Sequence, residues 1–311
     1  MNCLLIGGAG FIGSNIIAHL SCNIDSRISI LEPTLVPLHR LTGTSVTIHR
    51  GELADLDYLK TIIIEDHIDT IIHLVSTIIP GSNFDDYQQE FANVIFPTIK
   101  LIEFCCERDI RFVYISSGGT VYGNRKDKAV PFIESCPMEP ISYYGWSKQI
   151  MENSIQYMHR TQGLRYLTIR PSNPYGRGQK LYGKQGIIAV ALGKILAGEK
   201  VQIWGDGSTV RDFIYIDDLG KAIAELITNV RIINTTINIG SGDGHSINEI
   251  IAILKEIVTE DIQVEYIEPR QTDVSSVILD TTKLKSLIDF HPISLREGIK
   301  RFYQDLKNGK S

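Results

Sequence analysis

The stretch Cys3-Leu4-Leu5-Ile6-Gly7-Gly8-Ala9-Gly10-Phe11-Ile12-Gly13 opens as an apolar run, breaks into glycines and resumes as a helical pattern. A buried strand that turns tightly into a helix needs this composition. The first glycine makes the turn, the second admits a pyrophosphate against the backbone, and the third lets helix and strand pack closely. Phe11 and Ile12 then stand at the helix N-terminus, where free N–H groups face the phosphates. The plainer alternative is a tight turn that binds nothing, and glycine spacing alone does not exclude it. A strand before, a helix after and a position at the start of the chain favour dinucleotide binding.

Outward from this loop, short β-branched runs alternate with longer helical ones. Strands are expected at 3–7, 27–32, 46–50, 70–75, 111–116 and 165–170, and helices at 12–20, 55–65, 86–108 and 144–161. Such alternation calls for an α/β fold with a doubly wound parallel sheet of Rossmann type and right-handed crossovers. Beyond residue 170 the pattern changes. Residues 171–186 read as ordered loop, 187–197 as helix, 201–204 and 213–216 as short strands, and 217–228 as a helix capped by Asp217 or Asp218. The run 236–240 reads as one more buried strand and a candidate to rejoin the first sheet. Ser246 and Glu249 have the spacing of a capping box. The expected division is a cofactor domain over 1–170 and a smaller α/β substrate domain over 171–311.

The 311 residues carry 31 Lys+Arg against 36 Asp+Glu, a net charge of −5. No basic face for nucleic acid or an anionic membrane is indicated. The N-terminus shows no basic region and no cleavage site, and the most apolar stretch, 62–80, is interrupted by Glu65, Asp66, His67 and Asp69. A soluble, cytoplasmic protein without signal peptide or bilayer span is therefore expected. The five cysteines are odd in number and lack Cys-x-x-Cys spacing. They read as reduced, with Cys105 and Cys106 as core fillers. No metal site is expected.

Tyr144-Gly145-Trp146-Ser147-Lys148 sets a phenol and an ammonium four residues apart in a helical segment, which stacks them on one face. A phenol with a pKa near ~10 is a poor base at neutral pH, and an adjacent cation is expected to lower that value. Tyr144 can then take a proton from an alcohol as hydride leaves the same carbon. By itself this spacing is more often a surface pair. Following the glycine loop and the fifth strand, it reads as catalytic. Glu32 ends the second strand 19 residues beyond Gly13, where a carboxylate can accept bonds from ribose hydroxyls and repel a 2′-phosphate. NAD is thus favoured over NADP, with nearby Arg40 the feature that argues the other way.

The glycine spacing Gly-x-x-Gly-x-x-Gly resembles that of short-chain dehydrogenases. Further stretches sharpen the likeness: Ser116-Ser117-Gly118-Gly119-Thr120-Val121-Tyr122-Gly123, Arg170-Pro171-Ser172-Asn173-Pro174-Tyr175-Gly176, Trp204 to Phe213, Asn238-Ile239-Gly240 and Arg270-Gln271-Thr272-Asp273. In this order the chain resembles the extended short-chain dehydrogenases of the NAD-dependent epimerase/dehydratase family, close to UDP-glucose 4-epimerase-like enzymes, over residues 1 to about 296.

The resemblance implies roles position by position. Asn173, Arg211 and Arg270 would hold a nucleotide-sugar diphosphate, work suited to guanidinium forks. Glu52 and Leu53 would lie near the adenine, and Lys148 would also bond the nicotinamide ribose. An alternative for Arg211 is an ion pair with Asp212 or Asp217. Val277, seven residues beyond Arg270, would border the sugar C2 substituent and leave room for an N-acetyl group. A homodimer is implied through the helices at 86–108 and 144–161, with Phe91, Ile95, Ile102 and Met151 as candidates, although these residues would also suit the monomer core.

Two departures bear on the reaction. The hydroxyl that 4-epimerases place two residues before the Thr of Thr-Val-Tyr-Gly is here Gly118, so Ser117 or Thr120 is the candidate to stand in. The Thr-Asp-Glu of 4,6-dehydratases is here Gly118-Gly119-Thr120, which supplies no carboxylate for elimination. The expected activity is a nucleotide-sugar 4-epimerase with tightly held NAD. The alternatives are an NAD(P)H-dependent reductase of a 4-keto-6-deoxy nucleotide sugar and a non-catalytic NAD-binding protein.

Overall fold

The computed structural model describes residues 1–22, 26–124, 130–183, 185–268 and 274–309. β1 (Asn2–Ile6) runs into Gly7, whose φ of +84° turns the chain towards α1 (Phe11–Leu20). β2 (Arg27–Glu32) and β3 (Thr47–Arg50) follow, then α2 (Leu56–Glu65), whose N-cap Asp55 accepts from the Tyr58 N–H at 3.1 Å, and β4 (Thr70–His73).

The single helix expected over 86–108 is broken into pieces. α3 (Phe84–Glu90) starts on a capping box of Asn83 and Asp86, a π turn occupies Phe91–Ile95, and α4 (Phe96–Glu107) continues. Pro97 explains the widened turn, since it has no N–H to give to the carbonyl of residue 93.

β5 (Arg111–Ile115) leads to the four-residue α5 (Gly118–Val121) and to α6 (Tyr143–Gln162), started by the Ser142 hydroxyl and ended by Gly163 at φ +74°. Then come β6 (Tyr166–Pro171), β7 (Asn173–Tyr175), α7 (Ile187–Leu196), β8 (Val201–Trp204), β9 (Val210–Tyr215) and α8 (Ile216–Thr228). The chain closes with β10 (Thr235–Ile239), β11 (Gly244–Ser246), α9 (Ile247–Ile257), β12 (Val264–Ile267), β13 (Ser276–Val277), α10 (Thr282–Leu287) and α11 (Leu295–Lys307). The structure corrects two expectations. Asp217 and Asp218 do not cap α8 but sit in its first turn, where their charge suits the helix N-terminus. Asn173–Tyr175 is not loop, because β9 offers it a parallel partner.

The chain folds as two compact units, one of Met1–Ser117, Ser142–Arg170 and Gly220–Ile237, the other of Gly118–Ile141, Pro171–Leu219 and Asn238–Ser311. The first is built on a seven-stranded sheet in the order β10-β6-β5-β4-β1-β2-β3, a Rossmann-type parallel sheet with β10 rejoining its edge. The order reverses between β1 and β4, the switch point at which such sheets bind ligands. The Gly7 loop leaves β1 at that place. Its core joins Leu4, Ile71, Phe112 and Tyr114 of the sheet to Ile62, Leu101 and Ile155 of the helices.

Cys105 is fully buried there, and burial pushes its thiol up, as befits an inert core filler. Ile95, Ile102 and Met151 also face this core, whereas Phe91 is 42% exposed. The buried Arg111 guanidinium donates to the carbonyls of Leu226 and Ile227, orphan acceptors in the last turn of α8, and to that of Ile232 in the segment that follows.

In the second unit, β9 pairs with β7, β11 and β13, and β8 pairs with β12. One apolar cluster gathers α7, α9 and α11 around Tyr175 and Phe213; a smaller one holds Val121, Tyr122, Phe132, Val274, Val277 and Leu279.

Candidate active site

The glycines of the first loop are there for different reasons. A Cβ on Gly7 would come within 2.9 Å of Val75 Cγ2, and one on Gly13 within 2.6 Å of the Gly8 carbonyl oxygen. Both positions are closed by the protein itself. Gly10 is not: its φ is −69°, and the nearest atom to an added Cβ is the Gly7 oxygen at 3.4 Å, ordinary contact distance. Nothing in the fold demands a glycine at 10, but a ligand lying against the backbone would. α1 also starts without a side-chain cap and without an acidic residue in its first turn, which leaves N–H groups at Phe11 and Ile12 suited to an anion. The residues present therefore fit a dinucleotide pyrophosphate.

Glu32 is buried, and its Oε1 accepts the Ala9 N–H at 2.5 Å, tying the glycine loop to the end of β2. Burial raises its pKa, while the Ala9 bond and the Arg50 charge draw it back. Glu52 (exposed) and Leu53 (buried) follow β3, joined to the end of β2 by the Gly51 N–H bond to the Glu32 carbonyl at 3.1 Å.

Tyr144 and Lys148 lie one turn apart on α6. The buried Lys148 ammonium donates to the Ile115 carbonyl at 3.0 Å, and Nζ lies 5.0 Å from the Tyr114 ring centroid and 5.5 Å from that of Tyr144. Ser117 hydrogen-bonds the Tyr144 phenol. The expected lowering of the phenol pKa is overturned. Burial pushes Tyr144 up to about 12, against the lowering effect of the Ser117 bond and with a further rise from the Glu90 charge. The same burial presses Lys148 down to about 8, partly offset by Glu90 and Glu152. Desolvation is the largest influence on both groups.

Behind them, Glu152 takes Arg170 in a buried ion pair, with Nη2 to Oε2 at 2.7 Å and Nε to Oε1 at 3.0 Å, and accepts the Ser116 hydroxyl at 2.5 Å. Ser116 immediately precedes Ser117, so this network fixes the segment that reaches Tyr144.

In the second unit, the Asn173 amide donates to the Asp212 carbonyl at 2.8 Å and lies over Gly119, where an added Cβ would be 3.4 Å from Asn173 Oδ1. The Thr120 hydroxyl is buried without a hydrogen-bond partner. The Asp212 carboxylate is occupied by the N–H groups of Ser241, Gly242 and Leu279 and by the Ser241 hydroxyl. Asp212 thus has a structural role of its own, joining β9 to the chain around Ser241 and Leu279. Arg211 and Asn173 both line a cavity of about 410 Å³, together with Lys194, Gln202, Trp204 and Phe213. Val277 is 1% exposed among Tyr122 and Phe132, whose rings stack at 4.7 Å, and it does not line this cavity. Arg270 lies outside the described residues.

Glu90 and Glu152 were missed by sequence reasoning. Glu152 carried a signal, since it stands four residues after Lys148 on the same helix face. Glu90 carried none, because only the packing of distant segments brings it to this site.

Residues 3–240 match the model of the NAD dependent epimerase/dehydratase family. A Methanocaldococcus jannaschii protein provisionally assigned as a UDP-glucose 4-epimerase is 32% identical over 306 residues, 98% of each chain. An Escherichia coli dTDP-4-dehydro-6-deoxyglucose reductase is 28% identical, over 98% of this chain and 97% of its own. The crystal structure of a Thermotoga maritima UDP-glucose 4-epimerase with UDP-glucose superposes over 100% of both chains, with TM-score 0.92 and 30% identity. Among the described residues no helix is long and apolar enough to cross a membrane.

Proposed function

The chain belongs to the NAD dependent epimerase/dehydratase family, and from that membership we propose that it is a nucleotide-sugar 4-epimerase, acting on a UDP-hexose or UDP-N-acetylhexosamine with NAD as resident cofactor. The observation that carries this reading is the Ser117–Tyr144–Lys148 cluster, built in the unit that holds the glycine loop. When bound, NAD supplies a hydride acceptor that can also return the hydride. The protein's own residues handle the proton. Tyr144 Oη receives it from the sugar O4, Ser117 supplies the hydroxyl that Gly118 lacks, and Lys148 holds positive charge behind the phenol. Gly7, Gly10, Phe11, Ile12 and Gly13 would cradle the pyrophosphate, with Glu52 and Leu53 towards the adenine. Asn173 and Arg211, with Arg270, would hold the sugar-nucleotide diphosphate. Thr120, whose buried hydroxyl lacks a partner, is the second candidate to face the sugar.

A reductase reading has a specific observation in its favour: Gly118 removes the epimerase hydroxyl, and the E. coli relative carries a reductase name. Incubating the purified protein with UDP- and dTDP-hexoses, without added cofactor, tests the two. The epimerase inverts C4, detectable by proton NMR, with no net absorbance change at 340 nm. Stoichiometric oxidation of NAD(P)H by a 4-keto-6-deoxy sugar, with no inversion of any UDP-sugar, would overturn the proposal. The N-acetyl question is settled on the wild-type protein with paired substrates. A larger residue at 277 would have to displace the Tyr122 and Phe132 rings, and overpacking costs about 1–3 kcal/mol whatever the substrate.

NAD is preferred over NADP because a 2′-phosphate would have to approach the buried Glu32 carboxylate. Glu32→Ala should narrow that preference by calorimetry while also loosening the glycine loop that Ala9 anchors. A wild-type protein that binds NADP more tightly would remove Glu32 from this role.

The exposed aromatic residues Phe84, Phe91, Phe96, Trp146 and Tyr157 lie on α3, the π turn, α4 and α6, and burying them between two copies is the basis for a homodimer. Light scattering at micromolar concentration should give twice the chain mass; a monomer would count against it.

A further inference from the structure

Glu90 ends α3 as a buried carboxylate and belongs to neither the cofactor motif nor the proton-handling cluster. Three donors hold it. Ser76 Oγ donates to Oε1 at 2.9 Å, and both the N–H and the hydroxyl of Thr77 donate to Oε2, at 2.8 and 2.6 Å. Ser76 and Thr77 come after the end of β4, with two residues between, at the carboxyl edge of the sheet beside the switch point. The helix that carries Glu90 packs on the first turn of α6 through aromatic rings. Tyr87 stacks on Trp146 at 4.8 Å and on Tyr143 at 5.4 Å, and Phe84 lies 5.8 Å from Tyr143. Lys148 lies at the end of the neighbouring strand, against Tyr114 and the Ile115 carbonyl. Tyr114 is paired with His73 of β4, so the segment that Glu90 holds and the segment that Lys148 bonds leave adjacent strands. The Glu90 charge influences the ionisation of both Tyr144 and Lys148.

The geometry points to Glu90 as a positioning residue that pins the Ser76–Thr77 segment and holds Lys148 in its protonated, working form. This inference rests on the reading of Tyr144 and Lys148 as the proton-handling pair. The groups facing Lys148 are Glu90 from α3, Glu152 and Tyr144 from its own helix, Tyr114 from β5 and His73 from β4. Two of the neutral ones stay neutral. Burial carries Tyr114 well above the ordinary phenol range and His73 down to about 3. Thr98 spends its hydrogen on the Val94 carbonyl at 2.6 Å, so His73 Nε2–H donates to Thr98 Oγ1 and Nδ1 is left bare. Lys148, at about 8, is therefore the group whose charge changes between pH 6.5 and 9.

The sign follows from the charge. Removing a carboxylate that favours the ammonium lowers the pH at which Lys148 loses its proton. The test is the pH profile of kcat for Glu90→Gln against wild type, with bound-NAD content and KM measured alongside. A shift of about one unit appears as a fall in kcat of about tenfold at pH 9 but less than about twofold at pH 6.5, with NAD content unchanged. An equal loss at both pH values would mean that Glu90 is only a structural clamp, and the inference falls. A second variant, Thr77→Val, keeps the carboxylate and removes one donor, so that more of its charge reaches Lys148. Its alkaline limb should move up by a few tenths of a unit, and an unmoved or lowered limb would overturn the inference even if the Gln variant does not fold. A wild-type profile flat to pH 9 would remove Lys148 itself, a failure distinguishable from that of Glu90.

Discussion

Tyr144→Phe is expected to lower turnover by about 10²–10⁴-fold, the usual worth of a positioned acid or base, while bound NAD and the thermal midpoint stay close to wild type. The substitution keeps the ring on α6 and deletes only the hydroxyl that Ser117 reaches. With burial holding the phenol at about 12, Tyr144 is a weak acid in this structure and needs further positive charge beside it before it can accept a proton near neutral pH. Lys148 supplies part of that charge, and a bound pyridinium is suited to supply more. Steady-state kinetics on the substrate identified by the panel provide the measurement. Activity within tenfold of wild type would take Tyr144 out of the mechanism.

Glu152→Ala is expected to be strongly destabilising to the first unit, by about 3–5 kcal/mol in urea unfolding, because it removes one member of the buried ion pair with Arg170. The two side chains are 0% and 3% exposed, and three hydrogen bonds join them at 2.7–3.1 Å. The loss also frees Ser116, so kcat should fall even at temperatures where the variant remains folded. The double variant Glu152→Leu/Arg170→Met should recover much of the stability, since both buried charges are then replaced by apolar side chains, but little of the activity, since Ser116 still lacks its acceptor. A single variant as stable as wild type would show that the Glu152–Arg170 pair does not stabilise this unit. Recovery of full activity by the double variant would show that Ser116 does not position Ser117.

The sequence by itself determined the parallel sheet, the order of its elements as far as residue 170, the glycine loop and the Tyr144–Lys148 pair. These are local facts. A strand-to-helix turn needs its glycines within a few residues, and two side chains four apart on a helix meet whatever surrounds them. The π turn at Phe91–Ile95 and the strand at Asn173–Tyr175 were not legible, because a helical pattern does not reveal where Pro97 interrupts the ladder, and a β-strand exists only when a partner such as β9 lies beside it. Only the tertiary structure decided the electrostatics. Residue spacing indicates that an ammonium should lower the phenol pKa, but the sign of a pKa shift depends on how much water folding removes, and here burial is the largest influence on both groups. For the same reason Glu90, more than fifty residues before Tyr144 in the chain, enters the site only once α3 packs on α6.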